Sequence, residues 1–361
     1  MNKEEIITEK IERVKKEIRD TPYDKSSEHH HGVLKAKLAK LKDELDASKG
    51  GGGGGIGYAI KHSGDATVVL VGLPSVGKST LLNRLTNAES KVGNYDFTTL
   101  GVIPGMLEYK GVKIQLLDLP GIIEGAAGNK GFGRKVLSVI RASDMVVLMS
   151  DIKRIKWLDE IEGELYNSGI RLNVEPPKIH IRRMGKGNIQ IVDPFHSFDK
   201  EQMEDVAREM GFDNAVIQIG EKLKTIDRFI DGLSKNRKYM NCLKVVTKID
   251  TENKKLNYGN DYAYISAEKN VGLDEFKEKM WQKLGLVRVY LRKERLGEAD
   301  KKEPLIMKRN QNIDDVLKKI SNQMRDDISR VCIWGKRARF PGQEVSFNFG
   351  VFDEMEVWFG R

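Results

Sequence analysis

TVVLVGLPSVGKST, residues 67–80, is the stretch of this sequence that decides the fold. Its first half is an uninterrupted apolar run, the pattern of a strand that is buried on both faces of a parallel sheet. Its second half, GLPSVGKS, has the spacing of a phosphate-binding loop and opens a helical pattern. In such a loop, backbone N–H groups surround the phosphates, the lysine reaches the β- and γ-phosphates, and the hydroxyl binds Mg²⁺. The predicted nucleotide-binding residues here are Gly72, Pro74, Ser75, Val76, Gly77, Lys78, Ser79 and Thr80.

Further apolar runs of the same kind follow along the chain. The predicted strands are Thr67–Gly72, Val112–Asp118, Met145–Ser150 and Leu243–Thr247, and the helices between them are Val76–Leu85 and Phe132–Arg141. Buried strands that alternate with helices indicate a doubly wound α/β sheet. We therefore expect a P-loop nucleotide-binding core.

Thr247-Lys248-Ile249-Asp250 comes at the end of a predicted strand and selects the base. An aspartate in this place accepts hydrogen bonds from both the ring N–H and the exocyclic amine of guanine, and adenine has no matching pair of donors. The aliphatic part of Lys248 can cover the base. Ser266 and Ala267 follow the strand-like run YAYI, and we expect their backbone N–H groups to reach the guanine carbonyl. The ligand predicted by this set is GTP or GDP.

Asp118-Leu119-Pro120-Gly121 ends another predicted strand and supplies the metal site. We expect Asp118 to hold Mg²⁺ through a water and the Gly121 amide to sense the γ-phosphate. A threonine before this strand must complete the metal shell, and Thr99 is favoured over Thr98. The glycine-rich segment Gly121–Gly133 is predicted to switch with the nucleotide. The predicted metal ligands are thus Ser79, Thr99 and Asp118, and the predicted catalytic residues are Lys78, Thr99 and Gly121.

The regions around this core follow other patterns. The pattern of residues 1–48 predicts two helices, the first of which ends at Thr21-Pro22. The His29-His30-His31 run is interpreted as a polar connector rather than a metal site. Gly50–Gly55 is interpreted as a flexible linker. Lys178–Val192 predicts a β-hairpin within an inserted α+β module. The last 75 residues, from Val287, predict a small β domain containing the strands PLIMK, VCIWG, EVSFNF and MEVWF.

Four domains are therefore expected. They are an N-terminal helical segment with a Gly-rich linker (1–55), a GTPase domain (56–152 plus 241–287), an inserted α+β domain (153–240) and a C-terminal domain (288–361).

Composition limits the setting of the protein. The chain has 361 residues, of which 39% are hydrophobic and 32% charged, and no apolar run approaches the length of about 20 residues that spans a membrane. The start MNKEEIITEK is too charged for a secretory signal, and the two cysteines lie in apolar stretches. We therefore expect a cytoplasmic protein that does not associate with a membrane. The net charge of +9 permits contact with RNA but does not demand it.

The segments GLPSVGKSTLLNRLT, YDFTTLGVIPG and DLPGIIEGAAGNKGFG, with the preceding glycine run, resemble the developmentally regulated GTP-binding proteins, which are Obg-type translation-associated GTPases. The resemblance extends to VLKAKLAKL, RLNVEPPKI and VCIWGKRARFPGQEV, and so covers nearly the whole chain. It implies an insert that is similar to a ribosomal-protein fold and a C-terminal TGS domain of the β-grasp type. It also implies association with ribosomes or RNA, and a regulatory protein partner is a candidate.

Two residues bear on the mechanism that the resemblance implies. Ile122 stands where Ras-like enzymes carry the glutamine that orients water, so intrinsic hydrolysis should be slow. K⁺ is a candidate cofactor because relatives with this substitution use it through a phosphate-loop asparagine, but Ser75 stands in that place and argues against direct K⁺ ligation.

Other interpretations remain beside a self-sufficient hydrolase. One is an RNA- or ribosome-binding module whose GTP site is a switch with negligible intrinsic hydrolysis, which Ile122 favours. A third interpretation is a P-loop ATPase, and Asp250 argues against it. A fourth is an RNA-binding protein with a vestigial nucleotide site, and the presence of Lys78, Ser79 and Asp118 argues against that. Basic residues lie near aromatic ones in the C-terminal domain and in the insert, and their pattern fits either RNA binding or an ordinary solvated surface. These residues are Lys336, Arg337 and Arg339 beside Trp334 and Phe340, and Arg182, Arg183 and Lys186.

Overall fold

The computed structural model describes residues 3–24, 27–49, 63–86, 103–119, 133–251, 258–321 and 327–360. The chain divides into two compact units. The larger unit comprises residues 58–168 and 240–361, and the smaller comprises residues 1–57 and 169–239. The predicted linker Gly50–Gly55 lies outside the described residues. Among the described residues, no helix combines the length and apolar character that crossing a membrane requires.

The larger unit contains the predicted α/β sheet. The strand order is β10-β9-β4-β1-β3-β2, in which only β2 runs antiparallel to its neighbour. The strands are β1 (Ala66–Gly72), β2 (Ile103–Tyr109), β3 (Val112–Asp118), β4 (Met145–Asp151), β9 (Lys238–Thr247) and β10 (Tyr262–Tyr264), and the helices are α3 (Lys78–Leu85), α4 (Arg134–Ala142), α5 (Trp157–Asn167) and α8 (Leu273–Leu284). Each of the four predicted core strands is present, which confirms the α/β core.

The register of the parallel strands aligns their carboxyl ends. Gly72 at the end of β1 pairs with Met149 of β4, and Asp151 of β4 pairs with Thr247 of β9. All seven residues of β1 are buried, as are all seven of β4. The site residues therefore lie at the carboxyl ends of the strands and in the loops that follow them, at one edge of the sheet.

A second sheet completes the larger unit. Its order is β12-β11-β15-β13-β14, with helix α9 against a core that includes Val287, Leu317 and Val357. The elements are β11 (Leu286–Leu291), β12 (Leu305–Lys308), α9 (Ile313–Ile320), β13 (Arg330–Trp334), β14 (Gln343–Glu344) and β15 (Met355–Gly360).

The predicted strand EVSFNF is wrong beyond Glu344, where β14 ends. The reason is a competing use of its backbone. The carbonyl groups of Phe347 and Phe349 accept hydrogen bonds of 3.0 Å from the N–H groups of Asp314 and Ile313 in the first turn of α9. These first-turn N–H groups lack partners within the helix, so the segment leaves the sheet to satisfy them.

The smaller unit joins the N-terminal helices α1 (Lys3–Asp20) and α2 (Glu28–Lys49) to part of the predicted insert. Leu34 and Leu41 of α2 pack against α1, whereas Ala36 and Ala39 on another face enter the core of the insert. The interpretation of the histidine run as a polar connector is wrong, because His29, His30 and His31 lie in the first turn of α2. Their side chains contact Asp205, Glu17 and the Thr21 carbonyl, respectively. The remaining elements are β5 (Ile170–Leu172), β6 (Ile179–Arg183), β7 (Gln190–Val192), α6 (Lys200–Glu209), β8 (Ala215–Ile219) and α7 (Ile226–Leu233).

The predicted hairpin within Lys178–Val192 is wrong. Strand β8 lies between β6 and β7, antiparallel to the first and parallel to the second. Its sequence AVIQI is buried at every position except Gln218. The most apolar strand takes the centre of the sheet because that position buries the largest apolar area.

An ion-pair network stabilises the smaller unit. The Asp231 carboxylate of α7 accepts hydrogen bonds from Arg171 Nε at 2.6 Å and from Arg237 Nε at 2.7 Å. All three side chains are at most 10% exposed. Arg237 also lies 3.4 Å from the Asp43 carboxylate, so the network includes α2. Removing the Asp231 carboxylate would leave the two buried guanidinium groups without the negative charge that they share.

We predict that Asp231→Ala destabilises the smaller unit by about 3–5 kcal/mol, the cost of breaking a buried ion pair from one side. The matched control is Asp227→Ala on the same helix. Asp227 pairs with Lys35 at the surface, where an ion pair contributes about 0–1 kcal/mol. Urea unfolding followed by circular dichroism, with hydrogen exchange of the α7 amides, measures both changes. Equal effects of the two substitutions would contradict the role given to the network.

Candidate nucleotide-binding site

The phosphate loop begins where β1 ends and leads into α3. Ser75 has φ +63° and Gly77 has φ +93°, so the chain turns through the left-handed region twice before the helix begins. A Cβ at Gly72 would collide with the carbonyl oxygen of Met149 in β4, which explains glycine at that position. The loop brings the N-terminus of α3 to the carboxyl edge of the sheet. Helix N-termini bind anions because their first N–H groups are unsatisfied and the helix dipole is positive there.

Lys78 extends back along this loop. Its Nζ donates hydrogen bonds to the carbonyl oxygens of Gly72 at 3.0 Å and Leu73 at 3.1 Å. The side chain is buried, and burial lowers the pKa of Lys78 while the nearby charge of Asp118 opposes that shift. The ammonium is therefore held at the mouth of the loop with little water around it. In that position its attraction for a phosphate is weakly screened.

Ser79 and Asp118 meet beside the loop. The Ser79 hydroxyl donates a 2.5 Å hydrogen bond to Asp118 Oδ2. Asp118 is fully buried, and its other oxygen, Oδ1, has no hydrogen-bond partner among the described residues. A buried carboxylate oxygen without a partner costs free energy unless a cation or water satisfies it. Mg²⁺ prefers oxygen ligands, so this hydroxyl–carboxylate pair fits the predicted metal.

Thr247 connects the base-selecting segment to the phosphate loop. Its hydroxyl donates to the Val76 carbonyl at 2.7 Å and lies 3.3 Å from the Ser150 carbonyl at the end of β4. Thr247 is buried, as is Val76. The sequence motif indicates Thr247 only as the first residue of the base-selecting segment. Its contacts with the loop depend on folding and have no signal in the sequence.

Asp250 lies three residues beyond Thr247 and is exposed. A hydrogen bond from the Ser266 side chain holds the pKa of Asp250 below its usual value, and the charges of Lys269 and Lys248 act in the same direction. The carboxylate is therefore ionised throughout the neutral range and can accept two N–H donors. Lys248 has φ +57°, which directs the chain around the edge of the strand between Thr247 and Asp250.

Ser266 is buried at the end of the run that contains β10. Its backbone N–H donates to the Val271 carbonyl at 3.0 Å, in a bridge that also returns the Val271 N–H to Ser266. The Ser266 N–H is therefore used by the Val271 carbonyl, and the Ser266 side chain forms a hydrogen bond with Asp250. Ala267 follows it directly and packs partly buried against the core of the larger unit.

The predicted residues fall into two groups. The structure brings the phosphate loop, Asp118, the Thr247–Asp250 segment and Ser266-Ala267 together at the carboxyl edge of one sheet. Thr98, Thr99, Gly121 and Ile122 lie outside the described residues, as does most of the predicted switch segment. Sequence reasoning missed Asp151, which ends β4 beside Thr247 and fixes the following turn by accepting from the Arg154 N–H at 3.1 Å.

A phosphate loop between a buried strand and a helix, with the Ser79–Asp118 pair and the Thr247–Asp250 segment beside it, is typical of a P-loop nucleotide-binding protein. The family model described as a 50S ribosome-binding GTPase matches residues 67–181, and the model for the C-terminal region of that domain matches residues 186–286.

Relatives match the chain over nearly its full length. An uncharacterized GTP-binding protein of Halobacterium salinarum is 44% identical, covering 96% of this chain and 97% of its own. One from Methanocaldococcus jannaschii is 45% identical, covering 96% and 91%. Developmentally-regulated G-protein 3 of Arabidopsis thaliana is 40% identical, covering 97% and 98%. The chain belongs to the family of developmentally regulated GTP-binding proteins.

We predict that Thr247→Val weakens GDP binding and lowers the free energy of unfolding by about 1–3 kcal/mol. Valine keeps the shape of threonine but leaves the buried Val76 carbonyl without its donor, and an unsatisfied buried acceptor carries a cost of that size. Equilibrium titration with a fluorescent GDP analogue and thermal unfolding measure the two effects.

The matched control for this prediction is Thr251→Val, because the exposed Thr251 hydroxyl bonds only within its own turn, to the Lys248 carbonyl. Its GDP affinity should stay near that of the wild type. A Thr247→Val protein with unchanged affinity would show that the link between the two segments is dispensable.

Proposed function

We propose that this protein binds GTP with Mg²⁺ and hydrolyses it slowly to GDP and phosphate, as a nucleotide-dependent switch that acts with ribosomes or RNA in the cytoplasm. The observation that carries the proposal is the convergence of three segments on one edge of the sheet. The Ser79–Asp118 bond joins the phosphate loop to β3, and the Thr247–Val76 bond joins it to β9. The match to GTP-binding relatives over nearly the whole chain supports the choice of nucleotide.

The phosphates and the metal occupy the first part of the proposed site. The N–H groups from Gly72 to Thr80, apart from Pro74, which has none, surround the phosphates. The Lys78 ammonium approaches the β- and γ-phosphates. Ser79 and Thr99 would bind Mg²⁺ directly, and Asp118 would hold it through a water. When bound, the metal neutralises negative charge on the phosphate oxygens.

The base occupies the second part. The Asp250 carboxylate accepts from the guanine ring N–H and exocyclic amine, and the Lys248 chain covers the ring. Because the Ser266 N–H is committed to Val271, the Ala267 N–H is the donor that we assign to the guanine carbonyl. Ser266 then acts through its side chain, by holding the Asp250 carboxylate ionised and oriented.

Hydrolysis depends on Thr99 and Gly121, which we assign to the γ-phosphate. Ile122 occupies the place of a water-orienting glutamine, and a hydrocarbon side chain cannot hold a water by hydrogen bonds. We therefore expect slow intrinsic turnover that a ribosome or a protein partner accelerates. Ser75 in the phosphate loop offers a hydroxyl in place of an asparagine amide, so K⁺ remains a candidate that a rate comparison with Na⁺ decides.

The remaining regions support the proposed setting. We propose the inserted α+β domain at residues 153–240 and a C-terminal TGS domain of the β-grasp type at residues 288–361. The mixed sheet β12-β11-β15-β13-β14 with one helix fits the latter. The description of the matching family model as a 50S ribosome-binding GTPase supports ribosome association.

The second candidate function is an RNA- or ribosome-binding module whose GTP site switches with negligible intrinsic hydrolysis. Ile122 favours it. Single-turnover hydrolysis distinguishes the two candidates, using GTP and ATP in Mg²⁺ with K⁺ or Na⁺, before and after addition of ribosomes. Slow GTP hydrolysis that ribosomes accelerate supports the switch that hydrolyses GTP. GTP binding without turnover under every condition supports the second candidate, and equal binding of ATP contradicts both.

We predict that Asp250→Asn lowers GTP affinity by at least about a hundredfold, since two hydrogen bonds to a charged acceptor contribute about 1.5–3 kcal/mol each. The same variant should gain affinity for xanthosine triphosphate, whose base has a carbonyl where guanine has the amine, because an asparagine amide can donate to it. Competition binding against a fluorescent nucleotide measures both.

The control for this change is Asp261→Asn, an exposed carboxylate that pairs with Lys283. It should leave both affinities unchanged. If Asp250→Asn binds GTP as the wild type does, Asp250 does not read the base. Lys78→Ala should abolish binding of either nucleotide, because the loop loses the cation that we assign to the phosphates.

A further inference from the structure

The three-stranded sheet of the smaller unit has one covered face and one open face. Ile181, Ile217 and Ile191 lie in successive strands and point into the core that α6 and α7 cover. Because side chains alternate along a strand, the intervening residues point to the opposite face. Most of these intervening residues are exposed, so no described element covers that face.

The open face consists of two rows of side chains across the strands. Arg182 of β6, Val216 of β8 and Gln190 of β7 form one row, according to the register of the strands. The second row consists of His180, Gln218 and Val192. Lys178 precedes β6 at the next position with the same orientation along the chain, and it is exposed.

This face carries positive charge without compensation. No aspartate or glutamate occurs between Glu175 and Asp193, and β8 contains none either. Lys178, Arg182 and Lys186 are exposed, and no carboxylate of the described residues forms an ion pair with them. A face of this kind attracts a polyanion, because no carboxylate of the described residues pairs with its cations.

Asp193 and Glu221, which follow β7 and β8 in the sequence, are engaged elsewhere. The Asp193 carboxylate accepts hydrogen bonds from the Phe195 N–H at 3.0 Å and the Ser197 N–H at 2.7 Å, which fixes the turn after β7. Glu221 accepts from Arg228 Nε at 2.8 Å. Arg183 points to the covered side, where its guanidinium stacks on the Phe212 ring at 4.6 Å. These contacts leave the open face to Lys178, Arg182 and the loop cation Lys186.

We propose that the open face of β6, β8 and β7 binds single-stranded RNA. Lys178, Arg182 and Lys186 contact the phosphates, and the Gln190 and Gln218 amides, which both donate and accept, reach base edges. His180 offers a ring for a base to stack on. The inference rests on the proposed function, since it gives a location to the RNA contact proposed there.

The composition of the face favours RNA over an acidic protein partner. Protein interfaces centre on buried aromatic and aliphatic side chains with few charges. Val192 is the exposed aliphatic side chain on this face. Val216 is only 9% exposed, so it adds little apolar surface for a protein partner. The other positions are cationic, amide or imidazole groups spread over a flat sheet. Such a surface matches a strand of phosphates with exposed bases.

The test is binding of a fluorescently labelled single-stranded RNA to the full chain over a series of KCl concentrations. The variant Lys178→Glu with Arg182→Glu reverses two cations on the open face. The control, Lys10→Glu with Lys16→Glu, makes the same change in net charge on exposed positions of α1. We expect the first variant to lose on the order of tenfold in RNA affinity. The slope of log affinity against log KCl concentration should decrease in magnitude by about 1.4, because each of the two lost phosphate contacts accounts for about 0.7. The control should change neither quantity by a comparable amount.

Each other outcome overturns the inference in a recognisable way. If wild-type protein binds RNA and both variants weaken it equally, the contact lies elsewhere and the proposed RNA association survives. If wild-type protein binds GTP but no RNA, the RNA part of the proposed function fails as well. Tighter binding of double-stranded RNA or of polyglutamate would assign the face to a different partner. Circular dichroism and urea unfolding of every variant test whether the smaller unit is folded, and GTP affinity tests the nucleotide site of the larger unit.

Discussion

The burial of β1 on both faces, between β3 and β4, is the constraint on which the nucleotide site depends. A strand with no exposed residue cannot carry polar chemistry along its length, so the chemistry is confined to the loop that follows it. The same holds for β4 and nearly all of β3. Their register then brings three loops to one edge, where Asp118 reaches Ser79 and Thr247 reaches the phosphate loop. The site is assembled by backbone pairing over the whole sheet, and the side chains complete it.

Much of this core could be predicted from the sequence because its signals are local. An apolar run followed by GLPSVGKS specifies a strand, a turn and a helix within a few residues, and the strand ends at Asp118 and Thr247 are equally direct. The roles assigned to Lys78, Asp118 and Asp250 come from the same local motifs and stay predictions. What could not be predicted was the bond from Thr247 to the Val76 carbonyl, since it joins residues that are distant in sequence. The commitment of the Ser266 N–H to Val271 has no sequence signal either.

The two incorrect strand predictions share a cause. Alternation in Lys178–Val192 correctly indicated two strands with one apolar face, but alternation does not specify a partner, and β8 takes the place between them. In EVSFNF the apolar residues do reach a core, where Phe347 and Phe349 pack. Their backbone, however, satisfies the first turn of α9 instead of a neighbouring strand. Side-chain patterns predict which groups are buried, whereas pairing depends on competition among backbone groups across the fold.

The parts of the site that hold the nucleotide differ in origin from the parts that we assign to hydrolysis. We assign nucleotide affinity to Lys78, Thr247 and Asp250, whose side chains form hydrogen bonds with Gly72, Val76 and Ser266, respectively. We assign hydrolysis to Thr99 and Gly121, which lie between the core strands in the sequence. An interaction made equally with GTP and GDP changes binding, whereas one made only to the γ-phosphate changes the chemical step. A partner that acts on the second group can therefore raise turnover without altering the affinity for GDP, which is the property that a nucleotide-dependent switch requires.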